Sequence, residues 1–268
     1  MVNDHNNKDM VKERKFPIME LFGPTIQGEG IMTGTITHFL RTGGCGLRCT
    51  WCDSMFAVMP KEIKKYRTMM TTWEIIEAIA ALPKAPYLTL TGGDPCLHKH
   101  LGEVVSAAYH QGMRVAVETQ GQEFPNWLME CDVITFSPKG PSSGNIVDAK
   151  ELARYCVALG KQRQQRICIK VVVFNEHDFV YALDVFHMIP PIYYDAFYFT
   201  AGTPVLEHTT DQAAMDEIAS ARANAVLITQ HAIAEGVLTA CTTENFNDKV
   251  HIGCQQHVLL WPDKDQGV

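Results

Sequence analysis

The chain has 268 residues, 46% of them hydrophobic and 20% charged, which suits one large globular domain able to bury a core without disulfide staples. Its net charge of -7, with no long run of Lys and Arg, gives a polyanion little to bind, so a small-molecule substrate is expected and direct nucleic-acid binding is not. No uninterrupted apolar run reaches about 18 residues, so no membrane span is expected.

Residues 1–15 are polar and mixed in charge, without the apolar core of a signal peptide, and are expected to form a flexible tail ahead of a single domain at 16–268. The nine cysteines are odd in number and scattered, which in a chain without an export signal implies reduced thiols or metal ligands and a cytoplasmic protein. Beyond the tail, runs rich in β-branched and aromatic residues predict strands at 36–41, 87–91, 113–118, 133–137, 167–174 and 196–200. Helical patterns fall between or after them, at 72–82, 101–111, 124–131, 149–159, 177–186 and 211–224. The first is the clearest, because Thr71 and Glu74 stand at capping-box spacing. Repeated strand–helix alternation predicts an α/β fold with a parallel sheet, curved or closed into a barrel. Three polar corners follow strands, at Thr91-Gly-Gly-Asp-Pro95, Glu118-Thr-Gln-Gly121 and Ser137-Pro138-Lys139. Parallel α/β folds bind ligands at that end of the sheet.

Cys45-Gly-Leu-Arg-Cys49-Thr-Trp-Cys52 follows the first predicted strand. One helical turn from Cys49 to Cys52 would aim both thiols the same way, with glycines around Cys45 letting it fold back. A cubane iron–sulfur cluster normally takes four cysteines, so three leave one iron open. A zinc site completed by Cys254 or His257 and a dithiol redox pair at Cys49 and Cys52 use the same residues. The zinc reading lacks a second Cys-x-x-Cys pair, and the redox reading leaves Cys45 surplus. Cys96, Cys131, Cys156, Cys168 and Cys241 have no ligand spacing and are expected to be small buried hydrophobes.

The Cys-x3-Cys-x2-Cys loop resembles the signature of the radical S-adenosylmethionine superfamily. Together with Met19-Glu-Leu-Phe-Gly-Pro-Thr-Ile-Gln-Gly-Glu-Gly30, His38-Phe-Leu-Arg41, Cys52-Asp-Ser54, the three corners and Ile169-Lys-Val-Val-Val-Phe174, it is similar to the 7-carboxy-7-deazaguanine synthase family over roughly residues 17 to 180. Gln255, His257 and Trp261 fall more loosely into a similar pattern. The resemblance implies a partial, shortened parallel β/α barrel, a homodimer, a 4Fe-4S cluster, S-adenosyl-L-methionine, Mg2+ and an electron donor of flavodoxin or ferredoxin type. It implies a lyase of 7-deazapurine (queuosine-type) biosynthesis that converts 6-carboxy-5,6,7,8-tetrahydropterin into 7-carboxy-7-deazaguanine with loss of ammonia. In that family an adenosyl radical takes hydrogen from pterin C6, the ring contracts, and the cofactor is regenerated.

By the same resemblance Cys45, Cys49 and Cys52 hold the cluster and Ser54 ligates Mg2+, although a serine there equally suits a helix N-cap. Ile26, Gln27, Gly28, Arg41, Thr91 and the terminal Val268 contact substrate, with Arg41 on its carboxylate. Trp51, Cys52, Asp53, Gly93, Glu118, Ser137, Pro138 and Lys139 surround the cofactor. The superfamily usually carries Gly-Gly-Glu where this chain has Asp94, which puts a role for that side chain in doubt. Two other readings remain: an activating enzyme that installs a glycyl radical in a partner protein, and a non-enzymatic iron–sulfur electron carrier.

Overall fold

The computed structural model describes residues 13–162, 164–203 and 212–260. Its strands are β1 (Lys15–Ile26), β2 (Ile36–Thr42), β3 (Thr68–Thr71), β4 (Tyr87–Gly92), β5 (Arg114–Thr119), β6 (Val133–Phe136), β7 (Arg166–Val173), β8 (Ala196–Ala201) and β9 (Val250–Gly253). All nine form one sheet in the order β3-β1-β2-β4-β5-β6-β7-β8-β9. Every pairing from β2 to β9 is parallel, and β1 runs antiparallel to both β2 and β3. Because β3 and β9 are edges that do not pair with each other, the sheet is open, which agrees with the expected partial barrel. The helices are α1 (Pro60–Tyr66), α2 (Thr72–Ala80), α3 (Gly102–His110), α4 (Ala149–Gly160), α5 (Glu176–Met188), α6 (Gln212–Ala240) and α7 (Gln256–Leu260). Among the described residues no helix is long and apolar enough to cross a membrane.

Alternation along the strands decides what each face does. Leu88, Leu90, Val115, Val117, Ile134, Phe136, Ile167, Ile169, Val171 and Val173 join the main core with buried residues of α2, α3, α4 and α5. The residues between them, Thr89, Thr91, Ala116, Glu118, Thr135, Cys168 and Lys170, point to the opposite face. At the lower end of that face Met32, Tyr87, Ala116 and Val133 form a separate small cluster. Toward the carboxyl ends of the strands it becomes polar. The register sets Arg41 beside Thr91 on neighbouring strands, and Glu118 beside Thr135.

All six predicted strands form within a residue at most boundaries, and the Thr71–Glu74 capping box closes as expected, at 3.2 and 2.7 Å. Four expectations change. Residues 14 and 15 are not part of a flexible tail: Lys15 opens β1 and Arg14 forms an ion pair with Glu103, while residues 1–12 lie outside the described residues. The expected helix at 124–131 is a 3-10 helix, Asn126–Glu130, because Pro125 and the stacking of Phe124 on Tyr155 hold its start extended. The last long helix runs to Ala240 rather than stopping at Asn224, since Val226, Ile233 and Val237 continue its buried stripe. Cys241 is exposed, unlike the buried Cys96, Cys131, Cys156 and Cys168.

Candidate active site

Cys45, Cys49 and Cys52 line one cavity of about 220 Å³ at the carboxyl ends of the parallel strands. Ile26, Gln27, Gly28, Arg41, Trp51, Asp53, Ser54, Thr91, Gly93, Glu118, Ser137 and Lys139 line it too, so nearly all the expected site residues converge there. Pro138 does not line it, and Val268 and Trp261 lie outside the described residues.

The cysteine loop has no helical turn from Cys49 to Cys52. These residues form a turn closed by Cys52 N donating to Cys49 O at 3.3 Å, and the loop is also pinned to a neighbouring one. Thr50 N and Oγ1 donate to the carbonyls of Ser143 and Ser142 at 3.0 and 2.8 Å, and Trp51 Nε1 donates to Ser142 Oγ at 2.9 Å. The Trp51 ring packs 5.0 Å from Phe174, with Lys139 Nζ 5.6 Å from its centre. Ser142 and Ser143, which receive these bonds, carry no local sequence signal for that supporting role.

Cys49 is buried, and Cys45 and Cys52 are half-buried. Burial pushes all three thiols above their ordinary range, Cys52 to about 11, while the Lys139 ammonium pulls each one down. Thiols in this setting resist ionisation until a metal takes the charge. Three soft sulfur donors on one cavity fit an iron–sulfur cluster, and that cavity also holds the hydroxyl, ammonium and carboxylate groups an amino-acid-bearing cofactor needs. Ser54 Oγ donates to Asp53 Oδ1 at 2.9 Å, which gathers hard oxygen donors suited to magnesium. Ser54 occupies the N-cap position of the turn Met55–Ala57, yet its side chain makes no capping bond.

Arg41, from β2, is held from two sides: its Nε donates to Glu20 Oε2 at 2.7 Å and its Nη1 to Ser54 Oγ at 3.0 Å. Glu118, expected beside the cofactor, accepts from Gln27 Nε2 at 3.1 Å and from Thr91 Oγ1 at 3.2 Å. Both of these bonds come from residues expected at substrate, while Lys139 and Asp53, expected at the cofactor, also face it. Burial raises its carboxyl above the ordinary range, opposed first by the Thr91 bond and then by Arg41 and Lys139. Behind it lies a cluster that the sequence reading did not single out. Lys170 on β7 is 6% exposed and paired with Glu29, with Glu118 Oε1 at 3.9 Å.

Two glycines are set by close approach. A Cβ on Gly93 would stand 2.2 Å from Gly44 O, so backbone packing of the β4 loop on the cysteine loop requires glycine there. A Cβ on Gly28 would stand 2.4 Å from His257 Nδ1 and 2.9 Å from its backbone nitrogen. Gln256 N donates to Gly28 O at 2.9 Å, so α7 seats the C-terminal region on the Gln27–Gly30 turn. Asp94 is fully buried and does not line the cavity. Its Oδ1 accepts from Cys96 N at 3.0 Å and Thr119 Oγ1 at 2.9 Å, joining the loops after β4 and β5. The shorter acid here is a structural clamp.

Residues 39–168 match the radical SAM superfamily. A 7-carboxy-7-deazaguanine synthase from Bacillus cereus is 39% identical over 180 residues, 66% of this chain and 74% of the relative. One from Bacillus subtilis is 33% identical over 251 residues, 92% of this chain and 97% of the relative. Among solved structures, QueE from Escherichia coli superposes with a TM-score of 0.57 at 20% identity, covering 70% of this chain and 84% of that one, a likeness of fold. With the cysteine loop and its surroundings in one cavity and a relative matched over nearly its whole length, the chain belongs to the 7-carboxy-7-deazaguanine synthase family of radical SAM proteins.

Proposed function

We propose that the chain converts 6-carboxy-5,6,7,8-tetrahydropterin into 7-carboxy-7-deazaguanine and ammonia. The observation that carries this reading is the convergence of Gln27, Arg41, Thr91 and Glu118 on the cavity that the three cysteines line. Family membership supports it, since the relatives are named for that product. The bound cluster and S-adenosylmethionine supply the radical chemistry that starts the rearrangement, with Cys45, Cys49 and Cys52 as the cluster ligands.

The chain's own residues then have distinct tasks. Arg41, prealigned by Glu20, takes the pterin carboxylate through charge-assisted hydrogen bonds. Gln27 and Thr91 present polar groups to the ring edge, with Ile26 and Gly28 beside them, and Glu118 stands where the two ligands meet. Gly93, Ser137 and Lys139 face the cofactor's amino-acid and ribose portions; Trp51 and Asp53 flank its adenine, with Pro138 shaping that turn. Ser54 and Asp53 offer oxygen donors to Mg2+. Val268 is proposed at substrate on the resemblance alone.

An electron-transfer protein of flavodoxin or ferredoxin type supplies the electron, and the product enters queuosine-type biosynthesis. Leu227, Ile228 and Leu238 are exposed on α6, apolar surface that supports subunit contact in a homodimer. Nine free cysteines support a reducing, cytoplasmic setting.

Anaerobic reconstitution, reduction and supply of the pterin test the reading. Deazaguanine and ammonia in equal amounts are expected. Cleavage of S-adenosylmethionine with the pterin untouched would leave the superfamily and remove this substrate, favouring the activating-enzyme alternative.

A further inference from the structure

Lys170 is the most deeply placed cation of the cavity. It sits on β7 at 6% exposure, paired with Glu29 of the Gln27–Gly30 turn and 3.9 Å from Glu118 Oε1. Burying an ammonium is costly unless carboxylates face it, and here two do. A purely structural site would be served equally well by an apolar side chain and no acids. The other cations on the cavity are differently employed. Arg41 does not give up a proton, Lys139 stands by Ser137 and the thiols, and burial keeps His257 neutral.

We propose, resting on the pterin reading above, that Lys170 donates the proton to the leaving amine and Glu118 takes the proton lost from ring carbon. The ring-contracted amine is an isomer of the substrate, so its conversion to product is an elimination without oxidant or reductant. The carbon–nitrogen bond breaks with its electron pair going to nitrogen, and Lys170 Nζ gives that nitrogen a proton as ammonia departs. The neighbouring carbon–hydrogen bond supplies the new ring double bond, and its proton goes to a Glu118 oxygen. That proton then passes to Lys170 Nζ, which restores both groups. Glu118 suits the base, with 22% of its side chain exposed against 9% for Glu29, whose part is to hold Lys170 in place.

Burial pulls Lys170 down to about 8, and the carboxylate of Glu29 pairs with its ammonium. The groups facing the pair are Arg41 from β2, Asp53 from the cysteine loop, Lys139 from the turn after β6, Cys168 on β7, Tyr198 on β8 and His257 on α7.

The test uses the reconstituted holoenzyme with the pterin and compares wild type, Lys170→Met and Lys170→Arg by mass spectrometry and ammonia release. Both variants are expected to consume pterin yet accumulate an isomer of the substrate, with deazaguanine falling at least tenfold relative to pterin consumed. Arginine keeps the charge without a transferable proton, so full deazaguanine formation in Lys170→Arg would overturn the proposal. In wild type the ratio of isomer to deazaguanine should rise as pH passes from 7 to 10; a flat ratio would also overturn it. Pterin binding to cluster-free protein, followed by fluorescence, is expected to change less than threefold in Lys170→Arg; abolished binding would make Lys170 a binding residue and overturn the acid role. Wild type that leaves the pterin unconsumed refutes the substrate reading instead, a separate outcome.

Discussion

Glu20 orients Arg41 from a strand that the sequence reading did not predict: the carboxylate on β1 accepts the guanidinium Nε at 2.7 Å, leaving the rest of the fork on the cavity side. Charge-assisted hydrogen bonds contribute about 1.5–3 kcal/mol each, so Arg41→Ala should raise the pterin KM by roughly 10–100-fold. Cluster content should stay intact, as iron analysis would check. Glu20→Gln should raise KM by only a fewfold, because Arg41 keeps its bond to Ser54 at 3.0 Å. Cluster loss in Arg41→Ala would instead make this residue part of the scaffold.

Gly28→Ala drives a methyl group into the His257 ring and backbone, and the backbone contact leaves no easy relief. The C-terminal helix should be displaced from the substrate turn. Turnover at saturating pterin is expected to fall tenfold or more, with faster amide exchange in α7 and an unchanged exchange pattern in β4 and β5.

His257 also gives the protein an acid limit. Burial lowers it from 6.5 to about 4 in the folded state. Between those values the unfolded chain binds the extra proton, so stability rises with pH across that window and falls as the solution is acidified. Denaturant titrations from pH 4 to 7 should show this slope, and His257→Gln should flatten it.

Asp94 can be tested as a clamp rather than a ligand. Asp94→Ala leaves the buried donors of Cys96 and Thr119 without their acceptor, a loss of roughly 1–3 kcal/mol for each. Asp94→Asn retains an oxygen toward both and should cost less. Asp94→Glu adds a methylene to a fully buried position, where overpacking costs about 1–3 kcal/mol. Urea unfolding of the cluster-free protein measures all three.

Ser142→Ala removes the acceptor for Trp51 Nε1 at 2.9 Å and loosens the cysteine loop from its support. A net hydrogen bond of about 1 kcal/mol corresponds to roughly fivefold weaker cluster retention. Chelator challenge of the reconstituted protein would show faster iron loss, while the melting temperature changes by only a few degrees.

The sequence by itself determined the six parallel strands, the capped helix α2 and the cysteine loop. Strand-length apolar runs, a side-chain cap and clustered thiols are local features, readable over a few residues. It did not disclose β1, where Pro17, Gly23 and Pro24 break the alternation and register shifts interrupt the pairing with β2. Nor did it mark Glu20, Ser142 or Lys170. A lysine within Ile169-Lys-Val-Val-Val reads as an ordinary strand residue until folding brings Glu29, 141 positions away, against it. Only the tertiary structure decided that Glu118 bonds to Gln27 and Thr91, that Asp94 turns inward, and that α7 closes on Gly28. Each depends on which face of the sheet a residue occupies and which loop crosses above it, and long-range packing sets both.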